Sequence, residues 1–273
     1  MRALSWICLS PSPWDNSEGT KKLPNSAFGH ALVIGASSGI GEQLARRLAA
    51  DGTRVALVAR REAELQRVMD EINAAAGEDR AVAVAHDVQA TTDIPELFQE
   101  ITRVLGGLDL VIYAAGVMAA VGEDEYDTDK DREMMEINLL GAVAWLNPAA
   151  GRFARLGRGT IVGIGSVAGD RGRAGNPAYC TSKAAFHAYL EALRNRVARL
   201  GVRVVTIKPG FVDTVMTRGK EGLFWVISAD RAAEIILAKA RRGVVVAYVP
   251  ARWRLVMSII RSVPSFIFSR LGI

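Results

Sequence analysis

The sequence predicts an α/β fold, built as a doubly wound parallel seven-stranded sheet in a single domain. At 273 residues, with 50% hydrophobic and 23% charged residues, the chain can bury one sizeable core. From residue 30 onward, short apolar runs alternate with longer stretches whose apolar residues recur at helical spacing. Runs that are apolar throughout are typical of parallel strands covered by helices on both faces.

The strands and helices of this sheet are predicted in a regular order along the chain. Such strand-helix-strand units make neighbouring strands parallel and bring their carboxyl ends to one edge, where ligands bind in folds of this kind. The strands are predicted at 31–34, 54–59, 81–85, 110–113, 160–164, 202–207 and 244–249, and helices at 41–50, 62–76, 93–105 and 179–200.

Two short end segments flank a predicted globular part at 29–250. Residues 1–28 are predicted to form a loosely ordered polar leader. Its first apolar run ends before Pro11, and this run is too short for a signal peptide. A cytoplasmic location is therefore the default expectation.

The other end, 251–273, is predicted to be an amphipathic helical tail. Trp253 and Ile260 fall on its apolar face, Arg254 and Arg261 fall on its polar face, and Pro264 is expected to kink it. The tail is too short and too charged to span a bilayer. Three partners stay open for it: a membrane surface, the lid of its own subunit, or a neighbouring subunit.

Charge and cysteine content narrow the possible partners. The formal charge of +5 suits an anionic partner such as a phosphate-bearing cofactor or an anionic lipid. No nucleic-acid-binding motif is present, so we predict no nucleic-acid partner. The two cysteines and three histidines are scattered without ligand spacing, so we predict neither a metal site nor a disulfide framework.

A glycine-rich turn joins the first predicted strand to the first predicted helix. Gly35, Gly39 and Gly41 allow a tight turn and let the backbone approach a pyrophosphate, whose charge then meets the N–H groups and positive dipole end of the helix. A strand before the turn and a helix after it is the required context. The alternative is an ordinary strand-to-helix turn.

The spacing Gly-x-x-x-Gly-x-Gly resembles the short-chain dehydrogenase/reductase family, and the resemblance extends over about residues 31–250. It implies a Rossmann fold, a nicotinamide cofactor and a homo-oligomer. Two positions depart from the family pattern. Ile34 stands where the family usually has Thr or Ser, and Tyr113-Ala114 stands where it often has two asparagines, so we expect local repacking there.

Four residues match the family's catalytic tetrad in order and approximate spacing: Asn138, Ser166, Tyr179 and Lys183. Tyr179 and Lys183 are four residues apart on a predicted helix, so they share one face, and a nearby cation is expected to lower the pKa of the phenol. Ser166 is expected to donate a hydrogen bond to the substrate oxygen. In the family the Asn backbone holds a water that links the lysine to solvent. The alternatives are a turn serine and a helix-kinking asparagine.

The choice of cofactor depends on the end of the second predicted strand. A carboxylate there would bind the ribose hydroxyls of NAD and repel the extra phosphate of NADP. The strand instead ends in Ala59-Arg60-Arg61. The planar, charged guanidinium of Arg60 can bind a phosphate through paired N–H donors, and Ser37 or Ser38 can add a hydroxyl contact. NADP(H) is therefore favoured over NAD(H). The alternative is that both arginines belong to a solvated helix start.

Further cofactor contacts follow from the resemblance. One acidic-aliphatic pair resembles the segment beside the adenine, and a Pro-Gly segment after the sixth strand resembles the one over the nicotinamide. With the glycine turn, the predicted cofactor-binding residues are Gly35, Ser37, Ser38, Gly39, Ile40, Gly41, Arg60, Arg61, Asp87, Val88, Ala115, Gly116, Tyr179, Lys183, Pro209, Gly210, Val212 and Thr214.

We therefore expect an enzyme that interconverts a carbonyl and a hydroxyl of a small molecule, with hydride supplied by the cofactor and a proton by Tyr179. A short lid carrying Met216, Leu223, Phe224 and Trp225 indicates an apolar mouth and hence an apolar substrate. The alternative for these lid residues is that they pack onto the sheet. The alternatives are an isomerase or dehydratase on the same fold, or a nucleotide-binding sensor without chemistry.

Overall fold

The computed structural model describes residues 28–122, 124–219 and 222–271. Its strands are β1 His30–Ile34, β2 Arg54–Ala59, β3 Ala81–Ala85, β4 Leu110–Tyr113, β5 Gly159–Ile164, β6 Val202–Pro209, β7 Val212–Asp213, β8 Ile227–Ser228 and β9 Val246–Val249. Seven of them form one parallel sheet in the order β3-β2-β1-β4-β5-β6-β9, while β7 and β8 pair separately. The predicted doubly wound seven-stranded sheet is confirmed.

The helices are α1 Gly39–Ala50, α2 Glu62–Ala76, α3 Ile94–Leu105, α4 Thr128–Met135, α5 Gly141–Leu156, α6 Pro177–Val197, α7 Ala229–Arg241, α8 Trp253–Ser262 and α9 Ser265–Phe268. Helices α1, α2 and α7 bury apolar residues on one face of the sheet, and α3, α5 and α6 do so on the other. Strands buried on both faces explain why their sequences are apolar throughout. No helix among the described residues is both long and apolar enough to cross a membrane.

Several element boundaries differ from the prediction by a few residues, and two differences concern the last strand and the leader. The last strand begins at Val246 rather than at residue 244, because the Val244 N–H donates to the Lys239 carbonyl and so belongs to the end of α7. The leader lies outside the described residues except for Phe28. This residue is buried in the core, and its carbonyl accepts a hydrogen bond of 2.8 Å from the Thr53 hydroxyl.

The tail consists of two helices, because α8 ends at Ser262 and α9 begins after Pro264. Trp253 and Met257 on the inner face of α8 are buried against Val167, so this face docks on the chain's own domain. The outer side of the tail stays exposed.

Candidate active site

A cavity of about 950 Å³ opens at the carboxyl ends of the parallel strands. Ligands of open α/β sheets bind at this edge. The lining includes every residue predicted to bind the cofactor, together with Ser166. These residues are Gly35, Ser37, Ser38, Gly39, Ile40, Gly41, Arg60, Arg61, Asp87, Val88, Ala115, Gly116, Tyr179, Lys183, Pro209, Gly210, Val212 and Thr214.

The glycine turn packs so closely against the protein's own backbone that it leaves no room for side chains at Gly35 and Gly41. A Cβ on Gly35 would lie 2.4 Å from the Ala115 backbone nitrogen, and one on Gly41 would lie 2.1 Å from the Gly35 carbonyl oxygen. Gly35 also has a φ of 90°, which L side chains rarely adopt. The Ser38 side chain precedes α1 without capping it, so the first N–H groups of the helix are left for a ligand. This geometry fits the pyrophosphate of a dinucleotide.

A cationic pocket lies beside this turn. The Arg61 Nη2 donates to the Ser37 and Ser38 hydroxyls at 3.0 and 2.7 Å. Arg60, which the sequence favoured as the phosphate fork, has its Nη1 3.5 Å from an Asp87 carboxylate oxygen. The structure thus brings Arg61, rather than Arg60, next to both serines.

Helix α6 positions the Tyr179–Lys183 pair. Pro177 begins the helix, and the Asn176 side chain caps it by accepting the Tyr179 N–H at 3.0 Å. The Asn176 amide also donates to the Ala119 carbonyl at 2.9 Å, which ties the start of α6 to the cavity wall. The Lys183 Nζ donates to the Ile164 carbonyl at 3.3 Å and lies 5.8 Å from the centroid of the Tyr179 ring.

The prediction that Lys183 lowers the Tyr179 pKa is wrong, because burial outweighs the nearby charges. Burial raises the pKa of the Tyr179 phenol, and the groups that lower it are the Ser166 side chain, through a hydrogen bond, and the charge of Arg173. Burial also lowers the pKa of Lys183 to about 8. Desolvation dominates at both groups because each lies deep in the fold.

Asn138 lies in a π-helical turn, Glu136–Leu140, between α4 and α5. Its Oδ1 accepts the Val117 N–H at 2.8 Å, and its Nδ2 donates to the Val117 carbonyl at 2.9 Å and to Ser182 Oγ at 3.1 Å. The wider turn explains why a carboxamide is accommodated within an apolar helical pattern. Tyr113, at a position that departs from the family pattern, donates to the Ile137 carbonyl of the same turn at 2.5 Å.

Ser166 is tied to a buried group that sequence reasoning missed. Ser166 is the N-cap of the short helix Val167–Asp170, and its Oγ accepts the Ala168 N–H at 3.1 Å. Its own N–H donates to His187 Nε2 at 3.4 Å. Burial lowers the pKa of His187 to about 3, so the ring is a neutral acceptor at physiological pH. The signal in the sequence is the position of His187, four residues after Lys183 on α6.

The lid between β7 and β8 is divided between two roles. Met216 and Leu223 line the cavity, as the apolar-mouth prediction requires. Phe224 and Trp225 instead pack against Trp253 of α8, with ring centroids 5.3 and 6.0 Å from that of Trp253. The prediction that all four shape the mouth is therefore wrong for these two. They face the tail because Trp253 offers a large apolar surface.

Comparison with known sequences identifies the family. The sequence profile described as short chain dehydrogenase matches residues 29–222. The chain belongs to this family. An uncharacterized oxidoreductase of Myxococcus xanthus is 38% identical over 195 residues, which cover 71% of this chain and 76% of that protein. One of Staphylococcus epidermidis is 32% identical over 191 residues, which cover 70% and 81%.

Solved structures of the short-chain dehydrogenase family share the fold. A putative short-chain alcohol dehydrogenase from Sinorhizobium meliloti has 28% identity and a TM-score of 0.72, covering 80% of this chain and 93% of its own. A short-chain dehydrogenase from Sphingobium yanoikuyae, solved in complex with NADPH, has 24% identity and a TM-score of 0.75, covering 87% and 97%. The protein is thus an oxidoreductase of CH–OH groups in small molecules, with a nicotinamide cofactor.

Proposed function

We propose that the protein is an NADP(H)-dependent oxidoreductase that interconverts a carbonyl and a hydroxyl, with Tyr179 as the general acid and base. The observation that carries this proposal is the convergence of Ser166, Tyr179 and Lys183 on one cavity that also contains the glycine turn. A phenol, a hydroxyl and an ammonium group around one space suit an oxygen atom that gains and loses a proton.

In the proposed mechanism, each residue acts on the substrate or on its neighbours. When bound, the cofactor supplies or accepts hydride. Tyr179 donates its proton to the substrate oxygen during reduction, and its raised pKa keeps the phenol protonated beforehand. Ser166 donates a hydrogen bond to the same oxygen. Lys183 holds the cofactor ribose, while Asn138 fixes the Gly116–Val117 backbone.

Asn138 and Lys183 meet at Gly116. A Cβ on this glycine would lie 3.1 Å from the Asn138 Oδ1 and 3.2 Å from the Lys183 Nζ. Any larger residue there would push against both side chains, which are buried. Asn138 therefore acts as a positioning residue that keeps the wall beside Lys183 in place.

The preference for NADP(H) rests on the charges around the turn. Arg61 and the two serines that it contacts offer a guanidinium and two hydroxyls, and Arg60 lies close by. Strand β2 ends at Ala59, so no carboxylate stands at its tip to bind the ribose hydroxyls of NAD. The NADPH in the Sphingobium yanoikuyae structure is a property of that protein and agrees with this preference.

The test is cofactor oxidation with a panel of aldehydes, ketones and 3-oxoacyl compounds. We expect NADPH to be oxidised with a kcat/KM about 10- to 100-fold above that for NADH, the range that one charged hydrogen-bonding partner supplies. Arg61→Met should remove most of this preference by lowering the value for NADPH alone. The matched control is Arg67→Met, on the helix α2 that Arg61 precedes but outside the cavity lining.

Three outcomes would contradict the proposal. An unchanged cofactor preference in Arg61→Met would overturn the phosphate site. Conversion of a substrate without cofactor oxidation would favour the isomerase or dehydratase, and cofactor binding without any conversion would favour the sensor. A homo-oligomer and a cytoplasmic location stay predictions.

We also propose that the exposed side of the tail contacts an anionic membrane surface. Leu255, Ile259 and Phe266 are 69%, 60% and 67% exposed. Residues 251–273 carry four arginines and no acidic residue. An apolar strip with basic neighbours suits the interface of an anionic bilayer. Phe268, on the same tail, instead packs under the Arg171 guanidinium, whose Cζ lies 4.2 Å from the ring centroid.

Vesicle cosedimentation tests the tail. We expect binding to vesicles with a large fraction of phosphatidylglycerol and much weaker binding to pure phosphatidylcholine, because each arginine contributes about 1 kcal/mol near an anionic surface. Replacing Leu255, Ile259 and Phe266 together with serine should abolish it. The control replaces Leu156 and Leu200, which are exposed outside the tail. Equal binding by the two variants would exclude the tail as the contact.

A further inference from the structure

A fourth cationic side chain lines the cavity in addition to Arg60, Arg61 and Lys183. Arg60 lies beside Asp87, Arg61 contacts two serines and Lys183 contacts a carbonyl. Arg173 also lines the cavity, yet among the described residues no carboxylate lies within 4.0 Å of its guanidinium and its buried Nε has no hydrogen-bond partner. A cation held in this way usually has a ligand, because burying an unpaired polar group costs free energy.

The position of Arg173 is at the reacting end of the cavity. It lies in the segment between Ser166, at the carboxyl end of β5, and Tyr179, near the start of α6. Arg173, Ser166 and Tyr179 all line the same cavity. Arg60 and Arg61 follow β2, which is three strand positions from β5 in the sheet. At about 4.8 Å for each position, roughly 14 Å separates the strands.

The charge at this end is not balanced by the protein. Among the described lining residues, Asp87 is the only carboxylate, and it follows β3 at the far side of the sheet. Apolar side chains also line the cavity, among them Val117, Val121, Met216 and Leu223. Besides Lys183, the cavity therefore offers a second cation, Arg173, in the part of its lining that lies between Ser166 and Tyr179 along the chain.

We propose that Arg173 binds an anionic group of the substrate, a carboxylate or a phosphate, and so places the neighbouring carbonyl at Tyr179 and Ser166. This inference rests on the proposed function and adds the substrate class: a carbonyl compound with an apolar body and an anion close to the reacting carbon. Guanidinium groups bind both anions through paired N–H donors, so the chemistry is shared by the two.

The first measurement compares substrates in pairs that differ only in charge. The pairs are 2-oxo and 3-oxo acids against their methyl esters, and dihydroxyacetone phosphate against dihydroxyacetone. We expect kcat/KM for the anionic member of at least one pair to be about 10- to 100-fold higher. The pair that shows the preference distinguishes carboxylate from phosphate. Equal values within all pairs would overturn the proposal.

The second measurement repeats the pairs with Arg173→Met. The preference should disappear because the anionic member falls to the level of the neutral one, and Arg173→Lys should keep part of it. Any change in the Tyr179 pKa affects both members alike and so leaves their ratio unchanged. Arg103→Met removes the same charge from α3, where Arg103 is exposed, and should change nothing. If Arg173→Met lowers both members equally and shifts their pH profiles, Arg173 acts through Tyr179 and the proposal is wrong.

Two further readouts separate this proposal from the proposed function. Calorimetric binding of the same pairs to the protein with NADP⁺ needs no turnover, so it tests Arg173 independently of catalysis. The proposal is supported if Arg173→Met weakens binding of the anionic member of a pair but not of the neutral member. It is overturned if the anionic member binds equally to the wild type and the variant. A loss of NADPH affinity in Arg173→Met would assign the side chain to the cofactor instead.

Discussion

Replacing Tyr179 with phenylalanine is expected to lower kcat for carbonyl reduction by about 10²- to 10⁴-fold, the contribution of a positioned proton donor. Among the described residues that line the cavity, Tyr179 is the only phenol. The ring is buried against Met134 and Ala168, and phenylalanine keeps this packing. The substitution therefore removes the proton and little else, so cofactor affinity should change by less than about twofold.

The measurement is steady-state turnover together with fluorescence titration of NADPH. Tyr189→Phe is the matched control, because Tyr189 lies on the same helix and its hydroxyl donates to the Asn147 side chain at 3.0 Å, outside the cavity lining. Turnover of the Tyr179→Phe variant near the wild-type rate would show that another group moves the proton.

Replacing Lys183 with methionine is expected to abolish turnover and at the same time to stabilise the protein. Burial lowers the pKa of Lys183 from 10.5 to about 8, so the folded state holds the charged form at a cost. One pKa unit corresponds to about 1.4 kcal/mol, so the gain in the free energy of unfolding at pH 7 is about 3 kcal/mol. Methionine is similar in length and carries no charge to desolvate.

The pH dependence of this gain has a definite sign. Below pH 8 the lysine is charged in both the folded and the unfolded state, and the full penalty is present. Between pH 8 and the unfolded value near 10.5 the folded state loses its proton first, so the stability of the wild type rises with pH. Above both values the penalty is absent and the two proteins should unfold alike.

Urea unfolding of the proteins without cofactor at pH 7 and near pH 10 measures this effect. Lys239→Met, on α7 and outside the cavity lining, is the control for loss of a lysine charge. A Lys183→Met variant that is less stable than the wild type at pH 7 would show that the contact of Lys183 with the Ile164 carbonyl outweighs its desolvation.

The sequence alone predicted the sheet, because strands buried on both faces must be apolar throughout and helices that cover them must repeat every three to four residues. It also placed the glycine turn, because only glycine permits the approach of Gly35 to Ala115. Tyr179 and Lys183 were visible because their spacing on a helix is local. The order of Asn138, Ser166 and this pair along the chain carried the resemblance to the family's catalytic tetrad.

Only the tertiary structure decided which distant side chains meet. Arg173 became a candidate ligand group because it lines the cavity and its buried Nε has no hydrogen-bond partner among the described residues. His187 became the acceptor of the Ser166 N–H because α6 packs beside β5. The roles of Arg60 and Arg61 were separated by the direction of each side chain. Burial also reversed the expected shift of the Tyr179 pKa. Local sequence determines backbone pattern, whereas contacts and desolvation depend on residues far apart in the chain.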